Sequence, residues 1–120
     1  MGQIKNLLVY KKAFELAMEI FKITKRFPKE ELYDLTLQIR KSSRSVCANL
    51  AEAYRRRKYP AHFTSKVTDS DTENTETDIW LEFSKACNYL TIEEFTNLSQ
   101  KQIEVGRLIG DILKFPDKYR

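Results

Sequence analysis

The stretch SVCANLAEAYRRRKYP, residues 45–60, runs from a helical pattern into four consecutive cations and ends at a proline. Val46 and Leu50 are four residues apart, which places both on one face of an α-helix. Tyr59 precedes Pro60, and the residue before a proline disfavours helical geometry. The stretch therefore predicts a helix that ends in a strongly basic turn.

Helical spacing continues outward from this stretch in both directions. Apolar residues recur at intervals of three and four through four segments, and prolines end three of these segments. The last segment opens with TIEE, residues 91–94, in which Thr91 and Glu94 can each accept a hydrogen bond from an N–H of the first turn. Short connections make consecutive helices antiparallel neighbours. We therefore predict an all-α fold, an up-down-up-down antiparallel four-helix bundle, with helices at about residues 7–27, 30–57, 61–89 and 92–114.

Length and composition narrow the class of protein. The chain has 120 residues, so we expect a single domain over residues 1–120. No apolar run approaches the roughly 18 residues of a membrane span, and the opening MGQIKNLLVY lacks the design of a signal peptide. We expect a cytoplasmic protein with no membrane partner. Cys47 and Cys87 make no disulfide framework and are expected to be small core residues.

A stripe of small polar residues follows the second predicted helix, and a second stripe follows the third. The seven residues of this predicted structural seam are Ser42, Ser45, Asn49, Glu52, Ser70, Asn74 and Thr77. If the two helices fold antiparallel about Pro60, residues whose numbers sum to 119 lie opposite each other. The predicted pairs are Ser42 with Thr77, Ser45 with Asn74, and Asn49 with Ser70.

We interpret the seam as a line of interhelical hydrogen bonds. A buried Asn or Ser without a partner costs about 1–3 kcal/mol, so each must be paired. Buried polar residues fix the register of coiled coils, and we expect the same role here rather than a ligand or catalytic site. Equally, the stripe could face a neighbouring subunit, and the sequence leaves these two arrangements open.

The four cations at residues 55–58 occupy the last turn of the second helix. One cation there would complement the helix dipole by about 0.3–1 kcal/mol. Four in succession spread around the helix end, and arginine suits phosphate. Tyr54, Tyr59 and His62 lie close enough in sequence to stack on an unpaired base. The candidate nucleic-acid-binding residues are Arg40, Lys41, Arg44, Arg55, Arg56, Arg57 and Lys58.

The charges are divided sharply along the chain. Residues 40–66 carry eight cations against Glu52, a net +7, and residues 67–94 carry eight acids against Lys85, a net −7. A basic patch that meets the acidic segment of another copy would give head-to-tail association, which closes into rings when the rotation allows. The pattern is thus compatible with phosphate binding, with self-assembly, or with both.

The sequence shows no motif for catalysis or metal binding. Its one histidine, His62, has no Cys-His or Ser-His context, and 3 glycines cannot build a phosphate-binding loop. Asp69, Glu73 and Glu76 share a helix face, but a di-iron bundle needs Glu-x-x-His on facing helices. We predict no catalytic residues, no metal, no cofactor and no small-molecule substrate, and therefore a protein that is not an enzyme.

Four motifs resemble one known family. They are L-x-V-Y-x-x-A-x-E-L-A at 7–17, F-P-x-x-E at 27–31, L-x-x-Q-I-R-K-S-S-x-S-V at 35–46 and N-L-A-E-A-Y-x-R at 49–56. The sequence resembles the four-helix-bundle family encoded within intervening sequences of bacterial 23S ribosomal RNA genes. It departs from the family's pattern at Ala53, where glycine is usual, and in a third helix with fewer apolar residues.

The resemblance implies a bundle that assembles into a homo-oligomer. A ring of five is known among relatives, which include the basic, nucleic-acid-binding accessory protein of diversity-generating retroelements. It also implies association with ribosomal RNA, and no established catalytic activity. We therefore predict a non-enzymatic oligomeric bundle that binds RNA or DNA through the basic end of the second helix. The alternative is a protein-interaction scaffold that uses the same charges for self-assembly.

Overall fold

In the computed structural model, residues 3–120 are described, and they form four α-helices with no β-strand among them. The helices are α1 (Leu8–Thr24), α2 (Leu35–Arg55), α3 (Pro60–Ala86) and α4 (Ile92–Lys114). Short 3-10 turns lie at Ile4–Asn6, Lys29–Glu31 and Pro116–Lys118. The predicted all-α four-helix bundle is confirmed. Helices α1 and α2 end three and two residues earlier than predicted, so of the four consecutive cations only Arg55 lies in the last turn of α2 and the other three lie in the turn that follows.

The four helices pack as a closed bundle of 44 × 25 × 21 Å. Each helix packs against the next in the chain, α4 returns to α1, and the α2–α3 contact is the most extensive. Ile20, Ile39, Leu81 and Ile109, one from each helix, are at most 1% exposed and form the centre of the core. Within residues 3–120, no helix is both long and apolar enough to cross a membrane.

Helix α2 begins at Leu35, five residues later than predicted from the sequence. The carboxylate of Glu31 accepts the N–H of Leu35 at 3.3 Å and the phenol of Tyr89 at 2.8 Å. The hydrogen bond to Glu31 raises the pKa of Tyr89 to about 12. Because a side chain of the preceding turn caps the helix, Leu32 lies outside it. Leu32, which falls inside the second helix predicted over residues 30–57, is 45% exposed.

Helix α3 ends at Ala86, three residues earlier than predicted. Asn88 has a φ of 62°, and the N–H groups of Asn88 and Tyr89 bond the carbonyls of Lys85 and Ser84 at 2.9 Å each. This is a Schellman ending, in which asparagine takes the left-handed position. Cys87 therefore lies at the helix end and is exposed, which corrects the prediction of a core residue. Cys47 is buried as predicted.

The predicted capping box at the start of α4 is confirmed. Glu94 N–H donates to Thr91 Oγ1 at 3.1 Å, and Thr91 N–H donates to Glu94 Oε1 at 2.8 Å. Arg26, from the end of α1, pairs with the same carboxylate and donates to the carbonyl of Tyr89. The hydrogen bond from Arg26 lowers the pKa of Glu94 to about 2. This pair ties the α3–α4 connection to α1.

Candidate nucleic-acid interface

The predicted polar seam lies between α2 and α3 only in part. The hydroxyls of Ser42 and Thr77 are 2.9 Å apart, as the pairing by sums of 119 predicts. Ser70 Oγ donates to the carbonyl of Val46 at 2.8 Å, so it bonds the backbone of α2 rather than Asn49. Ser42, Ser70 and Thr77 are at most 3% exposed within one chain. Their bonds therefore fix the α2–α3 register from inside the bundle, without a neighbouring subunit.

The predicted pair of Ser45 with Asn74 is wrong. Asn74 Nδ2 donates to the carbonyl of Gln102 at 3.2 Å, and Gln102 Nε2 donates to the carbonyl of Asn74 at 3.2 Å. Asn74 thus joins α3 to α4, because it lies on the side of α3 that faces α4. Asn49 donates to the carbonyl of Ser45 in its own helix at 2.9 Å.

Glu52, the last α2 residue of the predicted seam, lies on the surface of the bundle. Its carboxylate lies 2.7 Å from Lys66 Nζ, and its side chain is 54% exposed. Lys66 also lies 3.6 Å from Asp69. Glu52 therefore takes part in an exposed ion-pair cluster and not in a buried hydrogen-bonded seam.

The seven predicted cations fall into two groups. The first group, Arg40, Lys41 and Arg44, lies on the outer side of α2. Arg40 Nε donates to Thr24 Oγ1 at 2.8 Å, and its guanidinium lies 4.9 Å from the ring centre of Phe21. The guanidinium of Arg44 lies 5.4 Å from the same ring. Burial, with Arg44 nearby, lowers the pKa of Arg40. The Phe21 ring of α1 therefore lies beside both guanidinium groups, of which that of Arg40 is half-buried and that of Arg44 is exposed.

The second group lies at the end of the bundle, where three parts of the chain meet. A cleft of about 660 Å³ is lined by the 3-10 turn near the chain start, the end of α2 and the last described residue. We call it the basic cleft; its lining residues are Gln3, Ile4, Lys5, Tyr54, Arg55, Arg57, Lys58 and Arg120. Five of these eight side chains are cationic, and none is acidic.

Local contacts hold two of the arginines of the basic cleft in place. The guanidinium of Arg57 lies 3.7 Å from the ring centre of Tyr54, and its Nε donates to the Tyr54 carbonyl at 2.8 Å. Arg120 donates to the carbonyl of Arg57 at 3.0 Å and pairs with Asp117 at 2.7 Å. Guanidinium groups fixed in this way lose little conformational entropy when they bind an anion.

The remaining end cations face solvent. Arg55, Arg56 and Lys58 are exposed or nearly so and form no salt bridge within residues 3–120. Arg56 caps α2 and does not line the cleft. Tyr59, 56% exposed, meets the ring of His62 edge-on at 6.0 Å, which leaves an aromatic face beside these cations.

Sequence reasoning missed Lys5 and Arg120 as members of the cleft. Both lie far from residues 55–58 in sequence, so the charge run gave no sign of them. The topology does indicate them, because an up-down-up-down bundle brings the start of α1, the end of α2 and the end of α4 to the same end of the molecule. Cations within a few residues of those three points were therefore the signal.

The basic cleft can hold an anion but offers little for acid–base chemistry. Guanidinium and ammonium groups donate hydrogen bonds and accept none. Arginine can bind two phosphate oxygens at once, whereas lysine acts as a point charge. The arrangement therefore suits a phosphate-bearing ligand.

These features define a class of protein, a small antiparallel four-helix bundle with a basic cleft at one end. The chain belongs to the family described as 23S rRNA-intervening sequence protein, whose model matches residues 5–111. The predicted resemblance to that family is confirmed. The relationship to the accessory protein of diversity-generating retroelements stays a prediction.

The chain also matches solved structures. One is the crystal structure of a protein of unknown function from the S23 ribosomal protein family of Bacteroides thetaiotaomicron VPI-5482. The two chains are 29% identical, the match covers 89% of this chain and 96% of that chain, and the TM-score is 0.82. A search of curated proteins found no match.

Proposed function

We propose that this protein is a non-enzymatic, self-associating bundle that binds nucleic acid through the basic cleft and the adjacent Arg56, and that its main ligand is RNA. One observation carries the proposal. Five cations from three separated parts of the chain converge on one cleft, and none of its eight described lining residues is acidic, although Asp117 beside it pairs with Arg120. A charge run that is only a solvated helix end would not need Lys5 and Arg120 beside it.

The surroundings of the cleft favour a single-stranded ligand. Tyr59 and His62 present rings next to the cations, and bases of a single strand stack on such rings for about 1–3 kcal/mol each. The cations would follow the backbone phosphates while the rings take the bases. The name of the family refers to 23S rRNA, and that of the crystallised relative refers to a ribosomal protein family. Both support RNA as the first ligand to test.

The other parts of the proposal come from the sequence and the family resemblance. The partner in assembly is a second copy of this chain, with a ring of five as the first model. The protein acts in the cytoplasm, where RNA is available, and it binds without transforming its ligand.

Salt-dependent binding tests the nucleic-acid interface. Fluorescence anisotropy would follow a labelled single-stranded RNA of mixed sequence, and the matching DNA, at several salt concentrations. For single strands the slope of log K against log salt is about −0.7 per phosphate contacted. The variant Arg55→Ala/Arg56→Ala/Lys58→Ala removes three solvent-facing cations and keeps Arg57, which packs on Tyr54. We expect the slope to flatten by about 2.

A matched control removes charge elsewhere. Lys22, near the end of α1, and Lys29, in the turn after it, are exposed at the opposite end of the bundle, and Lys22→Ala/Lys29→Ala should leave the slope nearly unchanged. Equal slopes for the wild type and the triple variant would refute this interface. No binding by the wild type at physiological salt would refute the nucleic-acid function.

A scaffold without nucleic-acid binding is the second candidate. It is favoured by the exposed apolar side chains beside the cations of α2, including Tyr33 at 81% exposure. A stable assembly in sizing experiments, together with no salt-dependent RNA or DNA binding, would select this function.

A further inference from the structure

The outer side of α2 carries exposed apolar residues followed by cations. Leu32, Tyr33 and Leu37 are 45%, 81% and 45% exposed. They border a shallow depression of about 540 Å³ whose floor includes the small residues Ser45 and Ala48. We call this surface the α2 face; it consists of Leu32, Tyr33, Leu37, Arg40, Lys41, Arg44, Ser45 and Ala48. Exposed apolar residues grouped in this way mark an interaction surface.

A second surface, on α3, has the complementary pattern. Asp69, Glu73 and Glu76 recur on one side of the helix, and Trp80 and Phe83 continue the same line. Phe83 is 53% exposed, and its ring centre lies 5.9 Å from that of Trp80. Burial raises the pKa of Glu73, and the neighbouring Glu76 and Asp69 raise it further, whereas Lys41 on α2 of the same chain lowers it. We call these five residues the α3 stripe.

The two surfaces match in height along the bundle axis. The bond between Ser42 and Thr77 sets the register in which residue numbers on α2 and α3 sum to 119. In this register Arg44 is level with Thr75, between Glu73 and Glu76, and Leu37 is level with Glu82, beside Phe83. Lys41 is level with Asp78, so Lys41 and Arg44 lie within about one helical turn of Glu76, and the apolar residues of α2 lie at the height of Phe83 and the end of α3. Arg40, level with Ile79, lies beside Trp80 rather than an acid.

From this match we infer that the α2 face of one copy docks against the α3 stripe of a second copy, with the two bundle axes parallel. The inference rests on the proposed self-association and adds the surfaces that form it. Parallel axes keep the heights, so cations meet acids and apolar groups meet aromatic rings. With antiparallel axes, Leu32 and Tyr33 would instead meet the start of α3, where Lys66 is located.

The two surfaces differ, so the association is head-to-tail. Each copy uses its α2 face toward one neighbour and its α3 stripe toward the other, and such contacts generate rings or open chains. The seven cations predicted from sequence then have separate roles. Those at the end of α2 bind phosphate, and those on its outer side bind another copy.

Charge exchange between chains tests the inference. One variant, Lys41→Glu/Arg44→Glu, makes the α2 face acidic. The other, Glu73→Lys/Glu76→Lys, makes the α3 stripe basic. Sedimentation velocity of each variant alone should show self-association weakened about 100-fold, since close charge pairs across an interface couple strongly. An equimolar mixture should assemble again, because the acidic α2 face of one chain meets the basic α3 stripe of the other.

Mixing, rather than combining the substitutions in one chain, excludes an intramolecular explanation. Lys41 and Glu73 influence each other within one chain, and mixing two chains does not restore that contact. A control chain, Lys11→Glu/Lys22→Glu, has the same net charge as the first variant. This control chain should assemble alone. When it is mixed with Glu73→Lys/Glu76→Lys, less of that variant should enter the assembly than in the mixture with Lys41→Glu/Arg44→Glu. Arg44→Glu, at an exposed position, repeats the test with one substitution if the double variant unfolds.

The outcomes separate the inference from the proposal beneath it. A wild-type protein that is monomeric at high concentration overturns both the proposed self-association and the surfaces assigned to it. A wild-type assembly that either variant leaves unchanged overturns only the assignment of surfaces, as does a mixture that stays dissociated. Loss of RNA binding with intact assembly in Lys41→Glu/Arg44→Glu would assign the α2 face to nucleic acid and also overturn the inference.

Discussion

The buried bond between Ser42 and Thr77 should contribute measurably to stability. Thr77 Oγ1 donates to the carbonyl of Glu73 at 2.9 Å, so it accepts the hydrogen of Ser42 at 2.9 Å. In Thr77→Val the shape is kept and the Ser42 hydroxyl is left with only the Ile39 carbonyl, at 3.4 Å. We expect Thr77→Val to lower the free energy of unfolding by about 1–2 kcal/mol and Ser42→Ala by about 1 kcal/mol.

A double-mutant cycle isolates the bond itself. Each single substitution breaks the same hydrogen bond, so the double variant should lose about 1 kcal/mol less than the sum of the two. Urea unfolding followed by circular dichroism measures all four proteins. Thr75→Val is the matched control, since Thr75 lies on the same helix and its exposed hydroxyl bonds only its own helix at 3.1 Å. It should change stability by less than about 0.5 kcal/mol.

Additivity would refute the reasoning. If the double variant loses the sum of the two single losses, the hydroxyls do not interact and the α2–α3 register has another source. The height match between the α2 face and the α3 stripe would then lose its basis as well.

Two further predictions concern the α4 helix. The lowered pKa of Glu94, about 2 in the folded chain against an ordinary 4.5, stabilises the fold above about pH 4.5, and this contribution is lost as the pH falls toward 2. Glu94→Gln should therefore lower the free energy of unfolding by about 1 kcal/mol at pH 7, a modest amount because solvent screens the pair with Arg26. Thermal unfolding at several pH values should show that the difference from wild type shrinks below pH 4.5. Gly106→Ala should gain little or lose stability, because its added Cβ would lie 3.1 Å from Asn74 Nδ2, whereas Gly110→Ala meets nothing within 4 Å and should gain about 1 kcal/mol from helix propensity. An equal gain in Tm for the two alanine variants would show that Asn74 is not held by Gln102.

The fold could be predicted because local signals and the hydrophobic period agree. The break between the second and third helices at Tyr59-Pro60 and the capping box at residues 91–94 are both found, although α2 already ends at Arg55 and Pro60 begins α3. These signals act within a few residues, which is why a single sequence reveals them. The register of Ser42 with Thr77 follows from the short α2–α3 turn, since a tight hairpin leaves little freedom in which residues face each other.

The features that escaped prediction depend on contacts between distant parts of the chain. Glu31 sets the start of α2 while also binding Tyr89, 58 residues away. Asn74 turns to Gln102 because it lies on the α4 side of α3, and a pairing rule for two helices cannot include the fourth. A stripe every three or four residues identifies a helix face, but the neighbour that the face meets is set by the whole bundle.

The basic cleft shows the same dependence, and it separates a folded site from a charge run. A peptide of residues 45–60 would keep the four consecutive cations but would lack Lys5 and Arg120. It would keep Tyr54 near Arg57 but would lack the guanidinium of Arg120, which donates to the Arg57 carbonyl in the folded chain. If the folded protein binds RNA through the cleft, its affinity must exceed that of the peptide at equal salt by more than the cation count explains. The four consecutive cations alone could attract any phosphate. The fold places them, with Lys5 and Arg120, on a surface of defined shape. A nucleic-acid ligand would recognise that shape rather than the net charge of +4.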